Sequence, residues 1–136
     1  VVQLHGDTAR EQHADLAEDI QRIYVLHVDK SGDVVNGKDE SLKQLNAQRD
    51  FLLFDGLHGG SGERIATPHV HRTAGRFRYF IAGGLTPTNV QGLISQCQPF
   101  GVDVSSGVEN TLGHKEIPFI KRFITTINQE ATCYEY

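Results

Sequence analysis

The sequence predicts an α/β fold made of successive βα units around a parallel sheet. Three observations predict it. Short apolar runs alternate with segments of helical spacing, at a rhythm of about 20–30 residues, as repeated βα units require. The run FLLFD at 51–55 is apolar until its last residue, as a strand buried on both faces must be. Two other runs, FIA at 80–82 and FGVDV at 100–104, stop abruptly at Gly83-Gly84 and at Ser105-Ser106-Gly107. Such strand-to-helix turns bring glycine N–H groups and serine hydroxyls close enough to cradle an anion.

The elements follow in order. Residues 1–5 form a short β-run, closed by Gly6-Asp7-Thr8. Asp7 or Thr8 can cap a helix that carries Ala9, Ala14, Leu16, Ala17 and Ile20 at helical spacing. Residues 22–28 (RIYVLHV) alternate and are β-branched enough for a second strand. A polar loop over 29–38 leads to a helix through 41–48, with Leu42 and Leu45 on one side. The third strand is 51–55, ending in the carboxylate of Asp55, and a glycine-rich loop, GLHGGSG, occupies 56–62. Pro68 and the histidines around it break the pattern over 63–75, so at most a short helix is expected there. Residues 77–82 make the fourth strand. Thr86-Pro87 reads as a helix start, with Val90, Leu93, Ile94 and Cys97 on the buried side. The fifth strand is 100–104. Ile117, Ile120, Phe123, Ile124 and Ile127 mark a closing amphipathic helix with Pro118 in its first turn. The expected organisation is one partial barrel over 1–128 and a polar, frayed tail over 129–136.

Composition narrows the function classes. With 136 residues, the chain is one domain by length. Lys and Arg number 13 against 17 Asp and Glu, and no basic cluster tracks a nucleic-acid backbone. No apolar run approaches the ~20 residues that span a bilayer. Neither nucleic acid nor membrane is therefore an expected partner, and a cytoplasmic location is the default reading. Cys97 and Cys133 have neither metal-ligand spacing nor a disulfide framework. His58, His69 and His71 fit no standard helix-borne metal-ligand pair. The chain has no methionine and opens inside a strand, which reads as a piece of something longer. Five βα units fall short of the eight strands and at least ~200 residues of a complete (β/α)8 barrel.

Four segments together carry a family resemblance: VQLHGD at 2–7, FLLFDGLHGGSG at 51–62, AGGLTPTNV at 82–90 and GVDVSSGVE at 101–109. In this order they resemble phosphoribosylanthranilate isomerase of tryptophan biosynthesis, a (β/α)8 (TIM) barrel. The resemblance runs along essentially the whole chain and implies that its strands are about the fourth to eighth of the barrel. It implies a general-acid role for Asp55, and phosphate binding by Gly83, Gly84, Ser105, Ser106 and Gly107. It further implies substrate contacts from His5 and Asp103, and a loop over the site at Gly59, Gly60, Ser61 and Gly62. The family reaction is an Amadori rearrangement of a phosphosugar substrate, and the resemblance implies neither metal nor cofactor. A general acid opens the furanose to a Schiff base, a general base removes the neighbouring proton, and the enol relaxes to a ketone. Asp55 follows four apolar residues, a setting that raises a carboxyl pKa; the plainer alternative is that it caps a turn. The plainer alternatives are a hydrogen-bonded wall for His5 and a salt bridge at the barrel mouth for Asp103.

The chain departs from the family in three places. The family's base is a cysteine in a Cys-Gly pair ending the first strand, which this sequence lacks, and neither Cys97 nor Cys133 is placed to replace it. The arginine that follows the family's second strand is absent. After GGSG the family continues into a Phe-Asp-Trp helix start, where this chain has Arg64-Ile65-Ala66-Thr67. Two alternatives follow. One is a non-catalytic phosphate-binding half-barrel or complementation fragment, whose open sheet edges would recruit the missing amino-terminal units or a second copy. The other is a histidine-pathway ribotide isomerase, which typically pairs aspartates on the first and fifth strands; an Asp on a presumed sixth strand argues against it.

Overall fold

The computed structural model of the chain describes residues 1–29, 31–36, 41–56 and 67–131. Among these residues, five strands form one sheet: β1 (Val2–Leu4), β2 (Arg22–His27), β3 (Phe51–Asp55), β4 (Arg78–Ile81) and β5 (Gly101–Val102). All neighbouring pairs are parallel and the spatial order is the sequence order. Parallel neighbours need crossovers, and the helices supply them: α1 (Asp7–Glu11), α2 (Ser41–Gln44), α3 (Thr67–Ala74), α4 (Val90–Cys97) and α5 (Ile117–Ala131).

Alternation along the strands divides the side chains between two faces. Leu4, Tyr24, Leu26, Leu52, Phe54, Tyr79 and Ile81 pack with Val70, Ala74, Val90, Leu93, Cys97 and Phe123 of the helices into the main core. The opposite face carries a smaller cluster of Val25, Leu53 and Ala82, with Ile23 and Phe80 against it. Both faces of the central strands are thus apolar, which is why FLLFD reads as a continuous run.

Several elements differ from the sequence expectation. The first helix stops at Glu11 and continues only as a 3₁₀ turn, Gln12–Asp15, so Ala14 and Ala17 are exposed. The buried Arg22 explains the stop. Its guanidinium donates to the carbonyls of His13, Leu16, Ala17 and Ile20, taking acceptors that a longer helix would use itself. Gly6 occupies the N-cap, and Asp7 instead pairs with Arg10, a buried arginine that also donates to the Val25 carbonyl. The second helix ends at Gln44 rather than 48 because the buried Asp50 carboxylate accepts the Asn46 N–H at 2.9 Å. Residues 67–74 form a short helix with Pro68 in its first turn. The fourth helix begins at Val90, three residues after Pro87, and Thr86–Asn89 forms the turn before it. In α5 the buried stripe is Ile120, Phe123 and Ile127; Ile117 and Ile124 face solvent. This helix runs through Ala131, three residues past the boundary drawn at 128, as Gln and Ala, good helix formers, allow.

Candidate functional site

The carboxyl ends of the five strands carry the candidate residues. On the inner face, one step past the Val25–Leu53 cluster, β2 and β3 end in the paired residues His27 and Asp55. His5, just past β1, reaches the same place: its Nε2 lies 3.8 Å from Asp55 Oδ2, and its ring centroid is 5.0 Å from that of His27. Asp55 is partly open, its side chain 35% exposed. The apolar run that precedes it stays buried while the carboxylate emerges beside two imidazoles. Its backbone carbonyl accepts the Val28 N–H at 2.9 Å, which holds the strand end.

A cavity of about 230 Å³ joins Asp55 and Asp103 to both glycine-serine turns. Gly83 and Gly84 form one wall, Ser105, Ser106 and Gly107 another, with Ala82 and Leu85 between them. At two of these glycines the backbone of another segment packs so closely that no side chain fits. A Cβ on Gly107 would sit 1.6 Å from the Leu85 carbonyl oxygen; one on Gly83, where φ is +93°, would sit 2.5 Å from the Gly56 nitrogen. Asn89 holds the first turn, donating to the Gly84 carbonyl at 2.9 Å and accepting the Thr86 N–H at 2.8 Å. Lys115 holds the second. Its Nζ reaches the Ser105 carbonyl at 2.9 Å and Oγ at 3.1 Å while pairing with Glu109.

This geometry brings together Asp55, Asp103 and all five residues predicted to bind phosphate, with His5 against Asp55 from the end of β1, across β2. Gly59, Gly60, Ser61 and Gly62 lie outside the described residues, as do His58 and Cys133. Cys97 is buried on α4 among the outer core, and burial pushes its thiol up to about 11. A thiol so raised stays protonated at neutral pH and is no base. Sequence reasoning passed over His27, Asn89 and Lys115. Counting by twos from Ile23 through Val25 places His27 on the inner face, and Asn just before a helix is a capping signal. Nothing local marks Lys115, which reaches Ser105 across ten residues.

The chain matches a family model over residues 1–126; the family is N-(5'-phosphoribosyl)anthranilate (PRA) isomerase. The isomerase of Streptococcus mutans is 38% identical over 117 residues, covering 86% of this chain and 58% of that protein. A chloroplastic isomerase of Arabidopsis thaliana is 36% identical over 133 residues, covering 93% of the chain and 46% of the relative. Among solved structures, the Thermotoga maritima isomerase superposes with a TM-score of 0.66 at 34% identity, covering 93% of this chain and 60% of that one. A second isomerase structure, in complex with reduced 1-(o-carboxyphenylamino)-1-deoxyribulose 5-phosphate, gives 0.64 at 31% identity, covering 93% and 58%. The chain therefore spans about half to three-fifths of the length of these relatives.

Proposed function

The chain belongs to the N-(5'-phosphoribosyl)anthranilate isomerase family, and on that premise we propose that it supplies strands four to eight of a (β/α)8 barrel that isomerises N-(5'-phosphoribosyl)anthranilate in tryptophan biosynthesis. The observation that carries this is the single cavity shared by Asp55 and both glycine-serine turns. In barrels of this kind the phosphate site lies in the loops after strands seven and eight, and β4 and β5 would be those strands. The phosphate would rest against Gly83, Gly84, Ser105, Ser106 and Gly107, with Lys115 as a nearby cation. Anchored there, the sugar extends toward Asp55, which donates a proton to the furanose ring oxygen. The C–O bond breaks and leaves the Schiff base. A base then removes the adjacent proton, and the enol becomes the ketone. His5 would position the substrate and Asp55 together, and Asp103 would meet the substrate amine or sugar hydroxyls across the cavity. Gly59 to Gly62 would cover the site. The base would come from the barrel's first strand, since Cys97 is buried and held protonated. We place the enzyme in the cytoplasm, although the Arabidopsis relative is named chloroplastic; among the described residues no helix is long and apolar enough to cross a membrane.

A second reading is a phosphate-binding half-barrel without turnover. The observation that favours it is that, among the described residues, β1 and β5 each have a neighbour on one side only. One experiment tests both readings. The chain is joined behind the first three βα units of the Thermotoga maritima isomerase, and the purified chimera is assayed. Turnover that falls at least ~100-fold in Asp55→Asn, with KM little changed, supports the acid assignment. Turnover unchanged in Asp55→Asn removes Asp55 from that role. A folded chimera that binds the reduced product analogue and turns nothing over favours the half-barrel.

A further inference from the structure

His5, His27 and Asp55 end three adjacent strands, and one ligand-capable atom from each lies within 4.8 Å of the other two. We propose that these three side chains form a binding site for a divalent transition-metal ion of the zinc type. The inference goes beyond the isomerase reading and does not rest on it.

The donor set argues for the ion class. Two imidazole nitrogens and one carboxylate oxygen suit zinc, cobalt or nickel, whereas magnesium and calcium prefer all-oxygen shells. Three protein ligands leave a fourth tetrahedral position for water or a substrate atom. Geometry argues next. Zinc–ligand bonds of about 2.0–2.2 Å place tetrahedral ligand atoms roughly 3.3 Å apart. The His5 Nε2 to Asp55 Oδ2 separation is already 3.8 Å. All three ligand atoms start within 4.8 Å of one another, and the remaining contraction falls to the side chains. His5 is the side chain free to make it, being 57% exposed. His27 and Asp55 are held opposite each other in the β2–β3 ladder.

His27 supplies an independent observation. Its Nδ1 is buried and has no hydrogen-bond partner among the described residues. A buried polar atom left in that state carries a desolvation cost, which coordination through Nδ1 would relieve. The alternation that faces His27 inward would otherwise favour an apolar residue like Val25 and Ile23 before it. An ion held here would also occupy the Asp55 carboxylate, which cannot then carry a proton, so the bound form would be unable to act as the acid.

The test is a calorimetric titration of the chelator-treated, full chain with Zn²⁺ in phosphate-free buffer. The expected result is one ion per chain, with affinity at least tenfold weaker in His27→Gln and in His5→Ala and unchanged in His114→Ala, which replaces an exposed histidine outside the cluster. Circular dichroism reports whether each variant is folded; His5→Ala alters an exposed side chain and keeps the test decisive if His27→Gln does not fold. Wild-type affinity retained in a folded His5→Ala or His27→Gln chain overturns the proposal. So does a wild-type chain that binds no Zn²⁺ up to millimolar concentration, or a loss in His114→Ala equal to that in His5→Ala. The titration reads occupancy and not turnover, so its failure leaves the acid assignment of Asp55 standing, and a failed Asp55→Asn assay leaves the metal site standing.

Discussion

At the scale of single residues, the site depends on atoms that are absent as much as on those present. Gly107 admits the Leu85 carbonyl into the space a side chain would fill. Gly107→Ala must therefore push the two turns apart. We expect at least a tenfold loss of phosphate affinity by calorimetry and a stability loss of about 1–3 kcal/mol by urea denaturation, the usual cost of overpacking. A variant that binds phosphate as the wild type does would show that the cavity is not the phosphate site. Cys97 makes the opposite prediction, of silence. Buried and raised to about 11, it should react with a thiol reagent only as the chain unfolds, its rate following denaturant concentration; rapid modification in native buffer would contradict its place in the core. The same residues show what a linear reading can recover. Glycine and serine at strand ends announce themselves because few other residues tolerate such turns. His27 does not, since a histidine inside an alternating strand looks like any polar interruption until the facing is counted. Lys115 acts only through a contact that folding creates.

At the scale of elements, the strands were legible and the helix ends were not. Apolar runs locate β1 to β5 because burial is a property of the whole run. The first two helices end early for reasons written elsewhere in the chain: Arg22 takes the carbonyls after α1, and Asp50 takes the Asn46 N–H after α2. Asp50 also accepts the Arg22 N–H at 3.1 Å and two hydrogen bonds from Arg49, tying the starts of β2 and β3 to the turn between them. Burial is the largest single influence on its carboxyl and pushes the pKa up. The Arg49 hydrogen bond, with the N–H groups of Asn46 and Arg22, outweighs it and holds the pKa below the ordinary value. A carboxyl depressed in the folded state contributes stability that is complete above the unfolded pKa and is lost as pH falls through the folded one. Asp50→Asn should thus cost roughly 1.5–3 kcal/mol at neutral pH. The gap from wild type should narrow as the pH falls below the ordinary aspartate value of about 3.9. Urea melts at both pH values measure it; a gap that does not change with pH would mean the charge of Asp50 contributes nothing.

At the scale of the whole molecule, sequence rhythm was enough to recover a parallel sheet in sequential order, because one βα unit after another leaves few other topologies. How such a sheet closes depends on what its outer strands meet. Among the described residues β1 and β5 each pair on one side only, leaving a row of backbone N–H and C=O groups on the other, an arrangement that native proteins cover or blunt. Apolar surface accompanies these edges. Val1, just before β1, is exposed, and so is Phe100 just before β5, although its ring packs on Phe51 and Phe80 and Arg78 lies beside it. In a closed barrel both edges would pair with further strands, and the relatives are long enough to hold them. The chain of 136 residues by itself should therefore elute from a sizing column as a dimer or larger species. Adding the first three βα units of a relative as a separate polypeptide should convert it to a one-to-one complex that regains binding of the reduced product analogue. A stable monomer across the micromolar range, indifferent to the added units, would mean that the edges are already satisfied by the chain's own residues and that the chain does not supply strands four to eight of such a barrel.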